Sequence, residues 1–160
     1  LQELPDAELA ELFKPVLRSH GVNPDHFSDE YIRRAVGMVK SRINFVSELW
    51  DNARFFFVEP ESYDPKAVKK RWSEHTPAIM EELIGVLEQL PDFSSAAAEP
   101  VVLGWIAEKG YHLGNVMNAF RLAVVGECKG PHMFDITELM GCEETVKRLR
   151  KAINDIHPEA

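Results

Sequence analysis

Residues 110–150 read GYHLGNVMNAFRLAVVGECKGPHMFDITELMGCEETVKRLR, and the way helical runs and glycines alternate in them decides the fold. Gly110 closes a preceding helix as a left-handed cap, because a residue without Cβ enters that conformation at no steric cost. A helix over 115–125 follows and runs into a turn punctuated by Gly126 and Gly130–Pro131. A short helix near 136–140 comes next, and after Gly141 a terminal helix turns Val146, Leu149, Ile153 and Ile156 inward. Nothing here alternates with period two for long enough to make a strand.

Moving outward, the rest of the chain has the same character. From Asp6, the residues Leu9, Leu12, Phe13 and Val16 recur at helical spacing until His20–Gly21 and Pro24 end the run. Ser28 caps a second helix that presents Ile32, Val36, Val39 and Ile43 on one face. A third helix is predicted over 46–57, with the Phe55–Phe57 triplet placed between two subdomains. Residues 59–65, with Pro60 and Pro65, form a connector, since proline removes a donor and restrains the residue before it. The expected division is therefore 1–64 and 65–160. Beyond it come a short basic helix over 66–72, a helix capped by Thr76 that buries Ile79, Leu83, Val86, Leu87 and Leu90 until Pro91, and another carrying Val102, Leu103 and Ile106. The expected class is all-α, in two small helical subdomains.

Composition limits the function. In 160 residues, 45% are hydrophobic, enough for a buried core, and the formal net charge is -8. That charge excludes a protein that grips nucleic acid through bulk positive surface; any RNA contact must be local. Two cysteines, Cys128 and Cys142, and no signal peptide or long apolar run indicate a soluble, cytoplasmic protein with reduced thiols. A chain that opens at Leu1 reads as a piece of something longer.

Several chemical motifs dissolve on inspection. His112–Leu113–Gly114–Asn115 imitates the nucleotide-holding HIGH signature, but that signature follows the first strand of a nucleotide-binding fold, and here a helix-start turn explains the residues. Cys128, His132 and Cys142, with His112 or His157, lack the paired spacing of a structural zinc site, so no metal is expected. No feature pairs Cys128 with a histidine base, and Glu81–Glu82 and Glu143–Glu144 read as helix-surface charges. No catalytic residue is assigned.

The basic residues divide more usefully. Lys66, Lys69, Lys70 and Arg71 form one cationic run, and Lys147, Arg148, Arg150 and Lys151 are read as the outer face of the terminal helix. Each can be a solvated face or a phosphate contact. Arg42 and Arg121 instead emerge beside buried stripes, beside Ile43 and Phe120, where packing anchors the stem.

Arg121, Gly126, Gly130–Pro131, Phe134, Gly141 and the basic helix around Arg148, together with VKSRINFVSELWDNARFFF over 39–57, resemble the C-terminal end of bacterial glutamyl-tRNA synthetases. The resemblance implies an all-helical anticodon-binding cage. It assigns Arg42 to the third anticodon base, a cytosine, Arg121 to a further anticodon contact, and Gly130, Pro131 and Met133 to a loop against the bases. Lys129, Lys69, Lys70 and Arg148 become candidates for the tRNA backbone. It further implies tRNA(Glu) and the enzyme's own catalytic domain as partners, ATP and magnesium only in the whole enzyme, neither DNA nor membrane, and a monomer. The alternative is a helical protein–protein module using Trp50, Trp72 and Trp105.

Overall fold

The computed structural model describes residues 3–157, and every regular element among them is helical. The helices are α1 (Asp6–Ser19), α2 (Asp29–Val39), α3 (Leu49–Ala53), α4 (Pro65–Arg71), α5 (Thr76–Glu88), α6 (Ser95–Lys109), α7 (Leu113–Val125), α8 (Met133–Met140) and α9 (Cys142–Asp155). None is long and apolar enough to cross a membrane. The chain divides into two compact units, 1–58 and 59–160.

In the first unit α1 packs on α2 and α3. Leu9, Ala10, Phe13 and Leu17 are the buried face of α1, while Leu12, expected there, is 48% exposed. At 100° per residue the buried arc is centred near Phe13, which leaves Leu12 about 110° from that centre. The Ser28 hydroxyl accepts from the Tyr31 N–H at 3.0 Å and caps α2. At Gly37 on α2 a Cβ would lie 2.7 Å from a carboxylate oxygen of Asp6, so the glycine admits that carboxylate, whose other oxygen takes Lys40 Nζ at 2.6 Å.

The predicted helix over 46–57 is instead a 3-10 turn, the five residues of α3, and a second 3-10 turn. Three consecutive phenylalanines on a regular helix would fan across about 200°, too wide for one buried face. The broken form buries all three. Phe57 packs edge-on to Phe13, Phe27 and Tyr31 at 5.6, 5.0 and 5.7 Å, so the triplet serves the core of the first unit rather than a junction.

In the second unit α9 packs against both α5 and α7, α8 against α6 and α9, and α4 against α7. Met80, Leu83, Val102, Phe120, Phe134 and Leu149 are essentially inaccessible there. The division falls at 58/59, earlier than the predicted 64/65, because the connector is bonded to this unit: Asp64 N–H donates to Gly126 O at 2.9 Å and Lys151 Nζ to Pro60 O at 3.1 Å. Thr76 is the first residue of α5 rather than its cap, although its hydroxyl accepts from Ser73 N–H at 2.9 Å. Gly110 closes α6 with φ +70°, as expected.

Candidate functional site

The centre of interest in the second unit is built on α7. His112 caps that helix, its Nδ1 accepting from Asn115 N–H at 3.1 Å, so the HLGN sequence is a helix start. Buried Phe120 and Leu122 flank Arg121 and hold its backbone in the core, while its side chain emerges half-buried. Gly126 then ends the helix at φ +95° and returns the chain toward Arg121.

Arg121 Nη1 donates to the Pro131 carbonyl at 2.7 Å. Gly130 has φ +136°, and a Cβ there would stand only 3.1 Å from that same nitrogen. The guanidinium is thus braced over a turn whose glycine leaves room for it. Cys128 ties the same turn to α7, its thiol reaching Asn118 O at 3.7 Å, and Lys129 beside it is exposed. Burial pushes the Cys128 thiol above its ordinary pKa, the reverse of what a nucleophilic thiolate needs.

The structure therefore brings together Arg121, Gly130, Pro131 and Lys129. Met133 does not join them: it opens α8 with its side chain 2% exposed, turned into the core, and Pro131 is buried and presents its carbonyl to Arg121. Lys69 and Lys70 are exposed on α4. Arg71 beside them donates to Asn115 Oδ1 at 2.9 Å.

Arg148 must be withdrawn as a backbone contact. It is 2% exposed, with Nε on Glu144 Oε2 at 2.8 Å and Nη1 on Val124 O at 2.9 Å, and so ties α9 to the last turn of α7. Residues 147–151 span more than one helical turn, so they cannot all occupy one outer face, and Arg148 is the one that turns inward. Of the others, Lys147, Arg150 and Lys151 pair with Glu59, Glu88 and Asp155.

Arg42 lies in the first unit. It ends a 3-10 turn over Lys40–Arg42 rather than continuing α2, and it is exposed, while Ile43 after it is extended and buried. Three residues on stands Phe45, 66% exposed, which sequence reasoning missed. Its turn is fixed: Glu48 Oε2 accepts from Asn44 N–H at 3.0 Å, and Phe45 O accepts from Glu48 N–H at 2.9 Å. The available signal was an aromatic residue between polar Asn44 and the start of the next element, outside any apolar stripe.

Features offered for a protein-binding module are used in packing. Trp72 is buried, Trp50 stacks on His20 with ring centroids 4.0 Å apart, and Trp105 meets Tyr111 edge-on at 5.7 Å. The described residues include no group of three or more His, Cys, Asp or Glu able to hold a metal.

A family model described as an anticodon binding domain matches residues 8–153. The glutamate–tRNA ligase of Bacteroides thetaiotaomicron is 53% identical over 153 residues, covering 96% of this chain and 30% of that protein. That of Flavobacterium johnsoniae is 48% identical, covering 93% and 29%. The crystal structure of a glutamate tRNA ligase from Elizabethkingia meningosepticum in complex with its amino acid superposes with a TM-score of 0.87 at 36% identity, over 98% of this chain and 30% of that one. The chain thus spans about 30% of the length of the relatives it matches.

Proposed function

Because this chain belongs to the anticodon-binding domain family, we propose that it reads the anticodon of tRNA(Glu) within a glutamate–tRNA ligase. The observation that carries the reading is the Arg121 guanidinium held by the Pro131 carbonyl above the Gly130 turn. A planar cation whose orientation is already set loses little freedom when it meets the acceptor edge of an unstacked base. Gly130 lets the backbone approach closely, and Lys129 supplies a positive charge for a neighbouring phosphate.

In the first unit, Arg42 donates to a cytosine at the third anticodon position, and exposed Phe45 offers a face on which a base can stack. Lys69 and Lys70 are retained as phosphate contacts, whereas Met133 contributes through packing of the turn. Net charge -8 fits recognition of this local kind, with affinity that falls steeply as salt rises. The whole enzyme joins glutamate to tRNA(Glu) with ATP and magnesium, acts in the cytoplasm and is a monomer. That chemistry belongs to the enzyme's catalytic domain.

The test is binding of this chain to an RNA hairpin carrying the tRNA(Glu) anticodon loop and to one of the same composition with the loop sequence scrambled. The expected result is a preference for the first hairpin that Arg121→Ala lowers by roughly 1–3 kcal/mol, the scale of one good arginine–base contact. Equal affinity for both hairpins in the wild-type chain would remove the proposal.

A further inference from the structure

Between α4, the start of α5 and α7 lies a cleft of about 270 Å³, formed wholly within the second unit. Its volume is just under the roughly 300–1,000 Å³ of drug-sized sites, so it suits one small ring-bearing unit. The floor is apolar, made by Met80, Val116 and Ala119, all buried, with Ile79 beside them. Lys69, Lys70 and Arg71 border it.

Two features decide what chemistry belongs there. No carboxylate lines this cleft, although the chain as a whole is acidic. In the same unit Lys109, Lys147, Arg150 and Lys151 all have carboxylate partners, whereas Lys69 and Lys70 form no ion pair with a described residue. The polar lining also presents donors. His112 spends Nδ1 accepting from Asn115 N–H, so the neutral ring carries its proton on Nε2. Asn115 Oδ1 accepts from Arg71, and its two amide N–H groups are further donors. A donor-lined, cation-bordered cleft over an apolar floor calls for an anion joined to a flat ring: a nucleoside phosphate.

Cys128 feels the charges of both Arg71, at the rim of the cleft, and Arg121, so the cleft and the Arg121–Gly130 turn are neighbours, with Asn115 and Arg121 about 9 Å apart along α7 by its rise. The geometry points to the cleft as a second RNA subsite, which takes one nucleotide flanking the triplet, its phosphate on Lys69 and Lys70 and its base on the Met80–Val116 floor. This inference rests on the anticodon reading and extends it beyond the three bases.

The experiment uses this chain with the hairpin of the tRNA(Glu) anticodon loop, 4-thiouridine replacing one loop nucleotide at a time, and maps the photo-crosslinked peptides. A flanking nucleotide is expected to crosslink within 73–80 or 111–119, the third nucleotide of the triplet within 42–45 and the other triplet nucleotides within 121–133. Lys69→Ala with Lys70→Ala should weaken hairpin binding about tenfold at low salt and flatten the salt slope by about 1.4, two contacts at 0.7 each for a single strand. It should abolish the flanking crosslink and spare those of the triplet, with circular dichroism unchanged. Triplet crosslinks together with flanking crosslinks outside the cleft, or a double variant that binds like wild type, would overturn the subsite and leave anticodon reading intact. Absence of every crosslink at 121–133 would overturn the anticodon reading, and the subsite with it. In a parallel arm, CMP that displaces the flanking crosslink as effectively as unlabelled hairpin would make the cleft a site for free mononucleotides and overturn its assignment to RNA.

Discussion

Replacing Arg148 by alanine separates a structural arginine from an RNA-binding one. Its guanidinium is buried and donates to Val124 O, among the carbonyls in the last turn of α7 that have no partner within the helix, and to Glu144. Losing a charged donor to a buried carbonyl costs roughly 1.5–3 kcal/mol. The Glu144 carboxylate is 35% exposed and can turn to water, so that pair adds only about 0.5 kcal/mol. With the small cavity left by the stem the loss comes to about 3 kcal/mol, at the low edge of the range for breaking a buried pair. For a chain of this length that lowers the thermal midpoint by roughly 6–12 °C. Arg148→Lys should recover less than half of the loss, because a single ammonium on a flexible stem does not reproduce a fork that spans two partners. The assay is thermal unfolding followed by circular dichroism, beside hairpin binding as a function of salt. A midpoint unchanged in Arg148→Ala, with a salt slope reduced by about one contact, would show that Arg148 faces phosphate and would refute the packing argument.

The comparison of Arg148 with Arg121 shows what can be read from sequence. Both are arginines beside apolar residues on amphipathic helices, and local pattern alone does not say which turns in. Arg148 has a carbonyl at the end of α7 to satisfy and a glutamate one turn back; Arg121 has a glycine turn that folds beneath it. Both circumstances depend on how helices distant in sequence pack. Punctuation, by contrast, is local chemistry, and so Gly110 as a left-handed cap, Ser28 as an N-cap and His112 at a helix start were all legible. Apolar periodicity placed the helices but misjudged the buried arc of α1 by one row, leaving Leu12 outside. It failed over 46–57, where three adjacent phenylalanines must all be buried and the helix breaks to allow it. The turn from Gly126 to Pro131 was legible as a turn; that it braces a guanidinium was not, because the bond joins residues ten apart through a conformation only glycine supplies.

Gly126→Ala should destabilise by about 2 kcal/mol, since φ +95° disfavours any side chain and the new methyl would meet Pro60 Cβ at 3.1 Å and Ser62 O at 3.3 Å; an unchanged urea midpoint would contradict this. Tyr111 donates to Glu82 at 2.6 Å and holds that carboxyl below its usual pKa, so the bond stabilises the fold above about pH 4.3 and its contribution fades as pH falls through the lowered folded value. The stability gap between wild type and Tyr111→Phe should therefore be widest near neutrality and narrow in acid, and a gap constant from pH 7 to 3 would refute the assignment. Arg42→Ala tests the first unit's role in recognition. The residue is exposed and ends a 3-10 turn, so its truncation removes no core volume and should leave the circular dichroism spectrum unchanged. Against tRNA(Glu) transcripts carrying each of the four bases at the third anticodon position, the variant should lose roughly 1–3 kcal/mol of binding for cytosine and far less for the other three. An equal loss for all four bases would make Arg42 a phosphate contact, and no loss for any would leave the third position to be read elsewhere, with Phe45→Ala the next variant to measure.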